Sequence, residues 1–219
     1  MFNHIELDFE ELKTTNEDGQ RVYQTPDGNF PSITTVLGRK KAQFFKEWRE
    51  RVGEEEANKI TTKATRRGTG MHTVVENYLA NDEDYYGKSL PNVRDMFLSI
   101  KPEIDSHLNN IAGIEIPLWS KQLGVAGRCD CVADWKGDKA IIDWKTSNKI
   151  KKKEWCEDYF LQATAYSIMF EERTKIPINN IVIVMAVENE EPQIFEERTP
   201  DYWKLLETTL KEWKLSLKS

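Results

Sequence analysis

Charge stands in the middle of two segments that otherwise have the make-up of buried strands. The first is Gly127-Arg128-Cys129-Asp130-Cys131-Val132-Ala133-Asp134-Trp135. The second, after a short break, is Ala140-Ile141-Ile142-Asp143-Trp144-Lys145-Thr146-Ser147. Asp is depleted in strands, and charged side chains are almost never fully buried without partners. A sheet that accepts these residues must leave one face in water or put the charges to use. Register decides whether they meet. Gly137-Asp138 reads as a Gly-first two-residue hairpin loop, which pairs 136 with 139 and therefore 130 with 145 and 132 with 143. Side chains alternate faces along a strand, so Asp130, Asp143 and Lys145 then share one face, with Asp130 opposite Lys145 and diagonal to Asp143. The flanking Cys129 and Cys131 face away as packing residues. A three-residue loop would shift the register by one and send Asp130 to the other face.

Two carboxylates and a Lys on one face have two readings. Hard cations such as Mg²⁺ take one or two protein carboxylates together with substrate phosphate oxygens and water. A nearby Lys then stabilises charge or orients an attacking water. The plain alternative is a solvated sheet face with an Asp–Lys cross-strand ion pair, common and worth little. On these three residues alone the two readings stand level.

The rest of the chain narrows the class. Its 39% hydrophobic and 31% charged make-up over 219 residues is that of a soluble globular protein, and no apolar run is long enough to span a bilayer. The acidic start, MFNHIELDFEELK, resembles neither a secretory signal nor a transit peptide, which places the expectation in the cytoplasm. Three cysteines give no disulfide framework and no four-thiolate cluster spacing. The net charge of −6 argues against indiscriminate nucleic-acid binding, yet charge is segregated: residues 39 to 67 hold ten basic side chains against five acidic ones, and Lys145, Lys149, Lys151, Lys152 and Lys153 make a second cluster.

Turn signals dominate the first 30 residues. Ser32 and Thr34 then stand where hydroxyls cap a helix. Helical periodicity is expected over about 41–58 (Phe44, Phe45, Trp48, Val52), 65–80 and 90–110, the last interrupted near Pro102. After Gly113 strands are expected at 114–119, 124–135 and 139–146, then a helix over 154–173, a buried strand at 181–187, a partner near 192–196 and an amphipathic helix over 200–217. This is one α/β domain spanning 1–219: a helical N-terminal part at about 39–110, a sheet core at about 111–197 and a C-terminal helix. On the 154–173 helix, Gln162 and Tyr166 lie one turn apart on a face otherwise apolar, where a buried Gln needs a partner. His72 sits near a helix start in Arg67-Gly68-Thr69-Gly70-Met71-His72, with Glu76 one turn on.

The order of these pieces resembles the PD-(D/E)XK nuclease superfamily, in particular its RecB-like branch and, within it, exonucleases of mitochondria and tailed phages. The elements that carry the resemblance are His72 on an early helix, Asp130 after a Gly-rich strand start, Asp143-Trp144-Lys145, and Gln162-Ala163-Thr164-Ala165-Tyr166. The Phe30-Pro31-Ser32-Ile33-Thr34 start, the Phe44 to Trp48 helix and the Arg67-Gly68-Thr69 approach add to it, so that it spans about 22–187. It implies a restriction-endonuclease-like core, a central mixed sheet flanked by helices in the order α-β-β-β-α-β.

The resemblance further implies that Asp130 and Asp143 ligate Mg²⁺ or Mn²⁺ with the Trp144 carbonyl, that His72 completes the site, and that Lys145 acts on the nucleophilic water. Gln162 and Tyr166 would support the site, with Glu76 or Glu115 as an added carboxylate and no choice between the two. No iron-sulfur cluster is expected. The implied activity is a metal-dependent exonuclease acting on single-stranded DNA or frayed ends in replication, recombination or repair. It is expected as a monomer in a bacterial or phage-infected cell, with other replication or recombination proteins as further partners. Ser32, Thr34, Arg67, Arg128, Lys149, Lys151 and Lys152 are the candidate DNA contacts. A structure-specific endonuclease and a non-catalytic nucleic-acid-binding module remain the competing readings.

Overall fold

Two residues with positive φ, Lys136 (54°) and Gly137 (91°), make the turn between the strands that carry the charges. In the computed structural model, which describes residues 1–17 and 19–217, Trp135 pairs with Asp138 and the ladder runs back to Cys131 opposite Ile142. The expected loop at Gly137-Asp138 is therefore one residue too late. A primed two-residue turn needs left-handed backbone at both loop positions, and Lys136-Gly137 supplies it. The register moves by two residues, so parity is kept, but extrapolated pairing sets Asp130 opposite Asp143 rather than Lys145.

These strands are β5 (Val125–Trp135) and β6 (Asp138–Ser147). With β4 (Leu108–Ser120), β7 (Asn180–Val187) and β8 (Gln193–Arg198) they form a five-stranded sheet in the order β4-β5-β6-β7-β8. All neighbours are antiparallel except β6 and β7, which run parallel because helix α5 (Glu157–Thr174) crosses between them. The continuous apolar run of β7 follows from burial on both faces. A separate antiparallel sheet, β1 (Lys13–Glu17), β2 (Gln20–Thr25) and β3 (Gly28–Pro31), takes the turn-rich start.

Helices cover both faces of the large sheet. On one side α3 (Glu54–Leu79) and α4 (Pro91–His107) pack Met71, Val75, Phe97 and Ile100 against Ile142, Trp144 and Val184. On the other, α1 (Ile33–Gly38), α5 and α6 (Thr199–Ser216) bring Phe160, Ala163, Tyr166 and Phe170 over Val132, Ile141 and Ile183. The expected α-β-β-β-α-β order holds: a mixed α/β sheet core between helical layers. Each fully buried Ile, Leu or Phe contributes about 1.5–3 kcal/mol, enough in sum to offset the several kcal/mol that each buried carboxylate costs.

Three boundaries differ from the periodicity. The helix expected at 41–58 breaks at Gly53 (φ 86°), leaving α2 (Ala42–Val52), while α3 begins at Glu54 rather than 65. α4 passes Pro102 without a break, since the hydrogen bond that Pro102 forgoes belongs to the carbonyl of Leu98, a solvent-exposed residue. β4 starts at Leu108, six residues before the expected strand.

Candidate active site

β5 and β6 stop pairing where the acids begin. Beyond Cys131 and Ile142, the Trp144 N–H donates to Asp130 Oδ2 (2.9 Å) in place of a backbone carbonyl. Opposite Asp130, Glu115 holds a left-handed φ of 51°, uncommon for a residue with a side chain. Arg128 Nη1 donates to the Glu115 carbonyl at 2.5 Å and pins that kink. Strand alternation slips here. Cys129 joins the α5-side core with Val132, whereas Cys131 joins the α3-side core with Ala133. The two cysteines thus do not share a face as the alternation implied, though both are buried free thiols, their pKa pushed up first of all by burial.

His72 comes down from α3 onto the same point. Its Nε2–H donates to the Trp144 carbonyl (2.9 Å), which turns Nδ1 toward Asp130 Oδ2 (3.6 Å) and Glu115 Oε1 (3.7 Å). Burial alone would pull the His72 pKa down. The Glu115 and Asp130 carboxylates outweigh it and raise the pKa to about 9. Ligand atoms of His72, Glu115 and Asp130 all lie within 4.8 Å of one another. Of the two candidate carboxylates Glu115 lies in this group, whereas Glu76 is exposed on α3, its pKa raised by partial burial and by the charge of Glu115.

Asp143 stands beside this group rather than in it. Its carboxylate is buried, Oδ1 has no hydrogen-bond partner, and the Lys145 ammonium forms an ion pair with Oδ2. Burial raises the Asp143 pKa to about 6 against the pull of Lys145, and burial raises that of Asp130 too. Lys145 is pulled down by burial, but Asp143 and Asp130 reverse the sign, so it keeps its proton. Lys145 Nζ also lies 5.2 Å from the ring centre of Tyr159, a residue not singled out from the sequence although it stands three positions before Gln162. An unpartnered Asp143 oxygen, a second buried carboxylate and a Glu are oxygen donors of the kind a hard divalent cation takes, so the carboxylates fit one, with the His72 nitrogen beside them.

On α5, Gln162 Nε2 donates to the Tyr166 hydroxyl at 3.5 Å, and both side chains are buried. Tyr166 lies so close to β5 that a Cβ on Gly127 would come within 2.7 Å of its ring and hydroxyl. This gives the Gly of the Gly-Arg-Cys-Asp stretch a physical reason.

The candidate DNA contacts divide. Lys149 and Lys152 are exposed, Lys152 Nζ lies 5.7 Å from the Trp155 ring, and Lys151 donates to the Tyr159 hydroxyl (2.8 Å). Thr34 is exposed, but Ser32 is buried, its hydroxyl 2.8 Å from that of Thr34 and with no cap bond to the helix. Arg67, with its side chain 8% exposed, is paired with Glu188 (3.2 Å), and Arg128 is held by Glu11 and Glu115. Ser32, Arg67 and Arg128 are thus engaged within the protein. Among the described residues no helix is long and apolar enough to cross a membrane.

No protein-family model matches the chain. In sequence it is 26% identical over 208 residues to mitochondrial genome maintenance exonuclease 1 of Mus musculus, covering 86% of this chain and 61% of that one. The same-named proteins of Xenopus tropicalis and Homo sapiens are 26% identical over 179 residues (76% and 51% covered) and 27% over 129 residues (55% and 38% covered). The chain thus spans less than two thirds of the length of these curated relatives. A crystal structure from Eubacterium rectale, provisionally named an exonuclease, superposes with a TM-score of 0.47 at 13% identity over 67% of this chain and 66% of that one, a likeness too slight to carry an argument. The relatives in sequence, with the order of His72, Asp130, Asp143, Lys145 and Gln162 along the fold, relate this chain to exonucleases of the PD-(D/E)XK kind.

Proposed function

We propose that this chain is a metal-dependent deoxyribonuclease that removes nucleotides from single-stranded DNA or frayed ends, in the service of DNA replication, recombination or repair. The observation that carries the reading is the convergence of His72, Glu115 and Asp130 within 4.8 Å, beside an Asp143 whose Oδ1 has no hydrogen-bond partner and whose Oδ2 is paired with Lys145. Asp130, Asp143 and Glu115, with the Trp144 carbonyl and His72, would hold Mg²⁺ or Mn²⁺. Such an ion, when bound, polarises a phosphodiester and lowers the pKa of water.

The protein's own groups supply the rest. Lys145, kept protonated by Asp143 and Asp130, acts as a fixed cation that orients the attacking water and stabilises charge developing on the phosphate. His72 anchors the Trp144 carbonyl and, once deprotonated at Nδ1, offers a nitrogen beside Asp130. Gln162 and Tyr166 fix β5 from the α5 side so that Asp130 cannot drift. Lys149, Lys151 and Lys152 follow β6 out of the site and can meet a phosphate backbone. The named relatives are exonucleases of vertebrates, which supports an enzyme over a binding module and lends nothing to a bacterial or phage setting.

Exonuclease and endonuclease readings part on one substrate. Linear and circular single-stranded DNA of one sequence, each incubated with Mg²⁺, should be degraded and spared respectively. Cutting of the circle would replace the exonuclease with the endonuclease, and inertness toward both would remove the enzyme.

A further inference from the structure

Helix α2 buries none of its residues, although it carries the largest exposed aromatic group of the chain. Phe44 is 60% and Phe45 49% exposed. Their rings stack edge to face at 5.9 Å, and Phe45 meets Trp48 at 6.4 Å. With 3.6 residues per turn, Phe44, Phe45, Trp48 and Val52 fall within an arc of about 100°. Arg49 and Arg51 flank that arc, whereas Glu47 and Glu50 turn away from it. An amphipathic helix normally spends such a face on the core; here Phe44 and Phe45 stay in solvent while Trp48 and Val52 are half-buried, and of the flanking cations Arg49 is held by Glu54 (2.6 Å) and Arg51 is exposed.

The face is joined to the candidate active site. Lys41, on the same side of the helix, pairs with Asp158 of α5 at 2.5 Å. Asp158 stands between Tyr159, over which Lys145 lies, and Trp155, which is 54% exposed with Lys152 beside its ring. The half-buried Tyr159 and the exposed Trp155, with Lys145, Lys151 and Lys152 at their rings, thus flank in sequence the residue that ties the start of α2 to α5. Lys41, Arg49 and Lys145 have acidic partners in Asp158, Glu54 and Asp143; a protein partner fits the apolar surface but gives no role to Arg51 beside it or to Lys152 at the Trp155 ring. A polyanion with flat apolar faces fits both, because bases stack on aromatic rings whatever their sequence while lysines and arginines meet the phosphates.

We infer that the exposed aromatic face of α2, continued by Trp155, is a stacking platform for the bases of single-stranded nucleic acid leading to or from the cleavage site. The inference rests on the proposed nuclease reading for its direction and deepens it by naming where bases, rather than phosphates, are held.

The test is binding without cleavage, in EDTA, by fluorescence anisotropy of a labelled oligothymidylate and of an abasic strand of equal length. The Phe44→Leu/Phe45→Leu variant keeps apolar side chains on a surface helix and removes the π-faces. Its affinity for oligothymidylate should fall about tenfold or more and its affinity for the abasic strand should match that of the parent. Phe44→Trp/Phe45→Trp should bind oligothymidylate at least as tightly as the parent. Equal oligothymidylate affinity of parent and Leu variant, or an equal loss on the abasic strand, overturns the platform. Mg²⁺-dependent digestion by the parent, measured alongside, separates the two ideas. A parent that cuts DNA with an indifferent Leu variant sinks the platform alone. A parent that never cuts, yet loses base-dependent binding in the Leu variant, sinks the nuclease and keeps the platform.

Discussion

Asp130 closes the hydrogen bond that the parting of β5 and β6 leaves open, taking the Trp144 N–H at 2.9 Å. The same carboxylate faces His72, so one side chain serves the backbone and the candidate metal site at once. Asparagine can accept the Trp144 amide but cannot supply the charge. Asp130→Asn should therefore unfold in denaturant within about 1 kcal/mol of the parent while its nuclease rate drops about a hundredfold or more. Asp130→Ala leaves a buried amide unpaired and should lose about 1–3 kcal/mol as well. Equal stability of the two variants would show that the amide contact does not matter.

Glu115 combines a charge with a left-handed backbone, and the two can be separated by substitution. Glu115→Gln should weaken Mn²⁺ binding, read by calorimetry, by about ten- to a hundredfold. Glu115→Ala should weaken the metal likewise and leave the backbone strain in place, because alanine tolerates positive φ no better than glutamate. Glu115→Gly should be about 1 kcal/mol more stable than the alanine variant without recovering the metal. A glycine variant that binds Mn²⁺ like the parent would remove Glu115 from the site.

The packing of Tyr166 on Gly127 makes a third expectation. A Cβ at 127 would meet the ring and hydroxyl at 2.7 Å, in a core where overpacking costs about 1–3 kcal/mol. Gly127→Ala should lose about that much in denaturant melts, and in a Tyr166→Ala background it should cost little. Additive losses would mean that the two residues do not compete for one space.

What could be read in the sequence was whatever depends on alternation and order. The apolar runs gave the strands, the periodicity gave the helix between 154 and 173, and parity kept Asp130 and Asp143 at one place even though the turn lies at Lys136-Gly137. What could not be read depends on single backbone angles and on contacts distant along the chain. Ile114-Glu115-Ile116 is an ordinary alternating stretch, and nothing in it announces the φ of 51° that brings Glu115 rather than Glu76 to His72. Arg67 reads as a candidate phosphate contact, and nothing in its own stretch shows the ion pair it makes with Glu188, 121 positions away. Phe44 and Phe45 have the spacing of core residues and lie in solvent, a tertiary outcome that periodicity does not encode.

Protons and metal compete at this site, with signs that can be worked out. Burial, opposed by Lys145, raises Asp143 from 3.8 to about 6. Between those values the folded protein keeps a proton that the unfolded chain has released, so this group's contribution to stability falls as pH rises through that window. His72 is raised from 6.5 to about 9 because its carboxylate neighbours outweigh burial. Its stabilisation is complete below 6.5 and is lost as pH rises through about 9. A divalent cation must displace both protons, so Mg²⁺ or Mn²⁺ should raise the melting temperature little near about pH 5 and progressively more toward about pH 8.5. A metal-induced shift independent of pH would place the ion elsewhere.

The central claim is that Lys145 and its neighbouring carboxylates cut DNA. End-labelled linear single-stranded DNA, incubated with the parent and with Lys145→Ala in Mg²⁺ and in EDTA, tests it most directly. The account predicts nucleotide release by the parent in Mg²⁺ alone, and a variant that binds the strand in EDTA as the parent does but releases nucleotides at least about a hundredfold more slowly. Release by Lys145→Ala at the parent's rate, or by the parent in EDTA, would contradict it.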